Sequence, residues 1–202
     1  MMRTRILCAL ALGAALSANA EEKAKAPGPP KGPSQEEMTK AWQAYATPGD
    51  AHKKLEALAG SWTAKTKMWM DPGQPPEEAE GTSEQTWVLG GRYLAQKFEG
   101  KMMGQPFSGI GYTGYDNHKK KYESVWMDSA GTGIMVSSGS FDKSGKVLRS
   151  TAVMDDFMTG KKSTIKEALT IVDADTHMLE MWMPGPDGKP FKNLEVVYTR
   201  KK

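Results

Sequence analysis

From Trp62 to Arg200 apolar and polar residues alternate, and turn-forming clusters interrupt the alternation at short intervals. The runs are SWTAKTKMWM, GTSEQTWVL, RYLAQKFEG, PFSGIGYTGY, KYESVWMD, GIMVSSGSF, KVLRSTAVM, KSTIKEALTIV, HMLEMWM and FKNLEVVYTR. DPGQPP, GG, EGKMMG, DNHKK, DKSG, DDFMTG, DADT and PGPDGKP separate most of them, with residues that pre-set or tolerate turn geometry. A period of two puts successive side chains on opposite faces, which predicts half-buried strands. Most gaps are too short for the crossovers that parallel neighbours need, so sequential strands are predicted antiparallel. Closure hides the edges of such a sheet best. The predicted fold is therefore mainly β, a ten-stranded antiparallel up-and-down barrel.

Upstream the period changes to that of a helix. Ser34 and Glu37 form a capping box, and Met38, Ala41, Trp42 and Tyr45 follow at helical spacing. TPGD breaks that helix, and a second short one with Leu55 and Leu58 on one face ends near Gly60. Residues 34–60 are thus predicted as one or two helices packing on the barrel of residues 61–202. Residues 1–20 read as a secretory leader: Arg3 and Arg5, the apolar run ILCALALGAALS and the small-x-small ANA predict cleavage before Glu21. That run is too short to cross a bilayer, and no later segment is long enough, so no transmembrane segment is expected. Residues 21–33, rich in Pro, Lys and Ala, read as a flexible tether. The protein is expected to be exported, to the periplasm or beyond the cell.

Charge and cysteine content narrow the chemistry. The only cysteine, Cys8, lies in the leader, so the exported chain would hold no disulfide and no thiolate. Losing Arg3 and Arg5 leaves 25 basic residues (27 less 2) against 24 acidic ones, which suggests no nucleic-acid partner. Gly109, Gly111 and Gly114 have the G-x-G-x-x-G spacing of a dinucleotide loop. Such a loop must open a helix whose N-terminus holds the pyrophosphate. Here a polar turn and another alternating run follow, so the glycines are predicted to relieve crowding where a barrel strand bends sharply. There is no G-x-S-x-G elbow and no H-E-x-x-H pair, which leaves any enzyme reading without a recognised type.

The GSW at residues 60–62 and the YTRK at 198–201 resemble the ends of the calycins, the lipocalin and fatty-acid-binding superfamily. There the first-strand Trp packs under a basic side chain near the chain's end. The resemblance implies that Arg200 covers Trp62 and closes one end of the barrel. LAGSW, WVLGGRYL, MMGQPFSGIGYTGYD, YESVWMDSAGT and VYTRK together resemble the bacterial domain-of-unknown-function family 1579. That family implies a lipocalin-like barrel, often exported, and brings no established activity and no assigned catalytic residues.

Ten strands enclose more room than the roughly eight that side chains just fill. Large same-face residues expected to point inward are Trp62, Met68 and Met70; Trp87 and Leu89; Leu94 and Phe98; Ile110 and Tyr112; Leu179, Met181 and Met183. Arg92, Tyr112 and Glu167 are the polar groups sharing faces with them, unless Glu167 simply pairs with Arg92 or Arg149. The candidate cavity set is therefore Met68, Met70, Trp87, Arg92, Leu94, Tyr112, Glu167 and Met181, holding a small apolar or amphipathic molecule and no cofactor. Twelve of the 14 methionines follow the leader, and soft thioethers in an exported protein suit Cu(I). His177, Met181 and Met183 share a face and form the alternative metal set. One branch of the calycin-like barrels binds haem through a single His, and His177 is the residue available, since His52 is helical and His118 lies in a turn. Because His177 directly follows the DADT turn, it is expected to be exposed at the barrel rim.

Overall fold

A computed structural model of the chain describes residues 32–156 and 159–202. The expected leader and most of the tether lie outside these residues. The ten runs become β1 (Gly60–Met68), β2 (Glu77–Val88), β3 (Tyr93–Met102), β4 (Gln105–Asp116), β5 (Lys121–Asp128), β6 (Met135–Phe141), β7 (Val147–Asp155), β8 (Lys162–Ile171), β9 (Thr176–Pro184) and β10 (Pro190–Arg200). Each pairs antiparallel with its neighbours in sequence, and β1 pairs with β10 to close the barrel, with Trp62 opposite Arg200. The fold is a closed ten-stranded antiparallel up-and-down barrel. Among the described residues no helix is long and apolar enough to cross a membrane.

Two strand ends depart from the apolar pattern. β1 stops at Met68, and Met70 stands in the Pro-rich turn beyond it, 62% exposed. β2 begins at Glu77, within a stretch that carries no apolar alternation, because pairing with β1 from Met68 opposite Glu77 holds it in the sheet.

The helical segment splits in two. α1 (Gln35–Ala46) buries none of its residues, and Trp42 on its apolar face is 67% exposed. The expected packing of this helix on the barrel therefore does not occur through its apolar face. Its C-terminal carbonyls are held instead: Arg92 donates to Ala46 O at 2.8 Å, and Asn117 to the carbonyls of Ala44, Tyr45 and Thr47. These donors satisfy carbonyls that a helix end leaves without partners.

α2 (Asp50–Lys53) runs into a 3-10 turn, Lys54–Leu58, that presents Leu55 and Leu58 to the barrel. Both are buried with Leu94, Tyr122 and Leu148, and Trp87, Tyr115 and Phe141 pack around them. Burying each leucine contributes about 1.5–3 kcal/mol. This segment plugs the end of the barrel where β1 starts and β10 finishes, here the closed end. The opposite, open end carries the turns between β1 and β2, β3 and β4, and β5 and β6.

Candidate ligand cavity

At the closed end the side chains leave no room. Trp62 is fully buried, and its indole nitrogen donates to Leu58 O at 2.9 Å. The Arg200 guanidinium lies 4.1 Å from the indole centroid, within cation–π range. It also donates to Ala57 O, Ala59 O and Ala174 O, so one side chain ties the plug, β1 and the β8–β9 turn together. Gly60 makes this possible. Its φ is 131°, and a Cβ there would lie 2.4 Å from Arg200 Nη1.

His177 is not at an exposed rim. It is 2% exposed, stacked on Tyr198 at 4.3 Å and edge-to-face with Trp62 at 4.3 Å. The preceding turn is capped by Arg200, and the inward parity of β9 carries the imidazole beneath that cap. Burial, and then the Arg200 charge, push its pKa down to about 4, so the ring is neutral near neutral pH. Its Nε2 lies 3.3 Å from Gln85 Nε2, and its Nδ1 has no partner among the described residues.

Above this layer opens a cavity of about 430 Å³. One wall is apolar and bulky: Met68 on β1, Leu194 and Val196 on β10, Leu179 and Met181 on β9. The register sets Met68, Leu194 and Met181 side by side. The other wall is small or hydroxylated: Gly111 and Thr113 on β4, Ser124 on β5, Ser137 on β6. Thr113, Ser124 and Ser137 are cross-strand partners, and the first two share a hydrogen bond of 3.0 Å. The space exists because large residues on one side face short ones on the other.

Five methionines line this cavity, Met68, Met102, Met135, Met154 and Met181, each from a different strand. Polar groups reach it at several heights. Gln96 donates to Ser83 Oγ and Tyr198 OH, and Glu167 accepts from Ser150 Oγ at 2.6 Å. Burial pushes the Tyr198 hydroxyl up to about 12, partly opposed by the Gln96 hydrogen bond. Asn193 lines the open half from a bulge in β10, and its buried Oδ1 finds no partner among the described residues. Bulges of this kind re-aim side chains beside binding sites.

Of the sequence-derived set, Met68, Leu94, Glu167 and Met181 come together on the cavity wall. Met70 is excluded by the end of β1. Trp87 keeps inward parity but belongs to the closed-end core, where it donates to Glu56. Arg92 holds α1 and the β2–β3 turn from outside, donating to Ala46 O and Leu89 O. Tyr112 is 42% exposed on the outward parity of β4, so it borders the cavity only as part of the strand between Gly111 and Thr113. Ile110 points outward with it.

Both read as inward from sequence because they are the large residues of that strand. The interior face is the glycine face, and Trp126 from β5 lies over it. Gly114 makes room for the Tyr93 ring instead. The glycines thus relieve crowding, as expected, by leaving room for aromatic rings. Trp126 was missed; the legible signal was a G-x-G on one strand facing a Trp on the next.

The metal set does not converge. Strand residues rise about 3.3 Å each, so His177 and Met181 stand roughly 13 Å apart along β9 and share no single ion. Met183 lies further along the same strand and outside the cavity lining. Among the described residues no cluster of three His, Cys, Asp or Glu side chains could hold a metal.

Known structures share this architecture. Rv2717c from M. tuberculosis is 19% identical with a TM-score of 0.53, covering 77% of this chain and 100% of its own. The S-type phycobiliprotein lyase CPES from Guillardia theta is 12% identical with a TM-score of 0.54, covering 77% and 99%. At these identities the likeness is one of fold. No curated protein matches the chain. Residues 47–200 match the family described as protein of unknown function (DUF1579), and the chain belongs to that family.

Proposed function

We propose that the chain is an exported small-molecule-binding protein that holds an apolar or amphipathic ligand inside the barrel. The observation that carries this reading is the cavity of about 430 Å³, lined by Met, Leu, Phe and Trp side chains with a few convergent polar groups. That size and mixture suit a ligand site, because burial drives binding and isolated polar groups orient the ligand. His177 Nδ1 and Asn193 Oδ1, buried and without a partner among the described residues, belong to residues that line the cavity. Buried polar groups are seldom left unpaired, and a polar function on the ligand is one way to relieve that. Export rests on the leader-like first twenty residues.

The test is mass spectrometry of an organic extract of the protein purified from its own host. One enriched molecule, apolar over most of its surface and present at near-equimolar amount, is the expected result. An extract matching that of a cavity-filled Ser137→Phe variant would overturn the proposal.

A further inference from the structure

The way Trp126 is held points to the shape of molecule the cavity takes. Cβ atoms built on Gly109 and Gly111 would lie 2.2 Å from Cζ2 and 2.9 Å from Cε3 of Trp126. Those carbons sit at opposite corners of the indole's six-membered ring, so the ring spans both glycines. Its nitrogen donates to Asp128 Oδ2 at 2.8 Å, which stops the ring from turning. The other oxygen of Asp128 accepts from Ala130 N at 3.0 Å, tying the indole to the loop that borders the cavity mouth.

Trp126 packs against the buried cluster of Trp62, Ala64, Phe98, Val196 and Tyr198 and also lines the cavity. In the ring of ten strands β5 stands five places from β10, so the indole looks across at Leu194, flanked by Met68 and Met181. A fixed aromatic plane facing adaptable thioethers makes a slot. A flat conjugated ring gains offset stacking on one side and sulfur–aromatic contact on the other. A flexible acyl chain gains neither, and any apolar wall serves it equally.

We propose that Trp126 is the specificity-determining platform of this cavity, selecting ligands that carry a planar conjugated ring over flexible acyl chains. The proposal rests on the cavity being a ligand site. Asp128 acts as a positioning residue through the indole N–H.

Titrations with two neutral probes, the flat N-phenylnaphthylamine and the flexible dodecanol, test it. The protein should bind the naphthylamine at least about tenfold more tightly than dodecanol. Trp126→Leu should weaken naphthylamine binding by about tenfold or more and change dodecanol binding by less than about twofold. Trp126→Phe should restore most of the naphthylamine affinity, and thermal melts identify variants that fail to fold. Should the Leu variant not fold, the unmodified protein's preference and the Phe variant still decide the matter. Dodecanol binding as tightly as the naphthylamine, or both probes losing affinity equally in Trp126→Leu, overturns the platform alone. If neither probe binds, the cavity reading falls and the platform with it.

Discussion

At the closed end Leu55, Leu58, Trp62, His177 and Tyr198 are each at most 4% exposed; in the open half Met68 and Met181 face a cavity. Both regions belong to the same ten strands, so topology does not separate them. Side-chain size does. The closed end receives a plug from outside the sheet and an arginine that satisfies three carbonyls. The open half receives glycine, serine and threonine from β4 to β6; Trp126 takes the space over the glycines, and a cavity remains beside the serines and threonines. A barrel becomes scaffold at one end and container at the other through a few short residues on one wall.

The contrast is sharpest in paired substitutions. Trp62→Ala removes a fully buried indole from a site that cannot collapse, and should lower unfolding stability by about 3–5 kcal/mol. Met181→Leu, at a wall with space in front of it, should cost less than about 1.5 kcal/mol. Chemical denaturation of the two variants checks this. Equal losses would mean that the open half is packed as tightly as the closed end.

Acid should act on the closed end next. The unfolded chain protonates His177 near its ordinary pKa of 6.5, whereas the folded protein resists protonation until about 4. A depressed folded pKa means that the stability His177 contributes is complete above about 6.5 and is lost as the pH falls toward about 4. The loss is about 3 kcal/mol over that window. Unfolding free energies measured across it should fall more steeply for the unmodified protein than for His177→Gln. Parallel slopes would mean that the imidazole is already charged, or not buried, in the folded state.

Much of the fold was legible because it depends on period and turn chemistry, which are local. The alternation from Trp62 to Arg200 placed ten strands, and the short gaps between most of them forced antiparallel neighbours. The site was less legible, because which face is interior depends on residues from other strands. On β4 the large residues Ile110 and Tyr112 pointed the wrong way: the inner face carries glycines, and their partner Trp126 comes from the next strand. His177 was misread for a similar reason. A residue beside a turn reads as exposed until Arg200, at the far end of its neighbouring strand, is seen to cover that turn. Met70 and Arg92 show the limit of parity, since neither is held within a strand at its position. Glu167 and Met181 reached the cavity because β8 keeps a regular register with β7 and β9.

If the open half of the barrel is a ligand site, a crystal structure of the protein with N-phenylnaphthylamine should hold one molecule inside the lumen, its rings against Trp126 and facing Met181. Probe found only on the exposed Trp42 and Tyr45 face of α1, with the methionines closed over an empty interior, would contradict it.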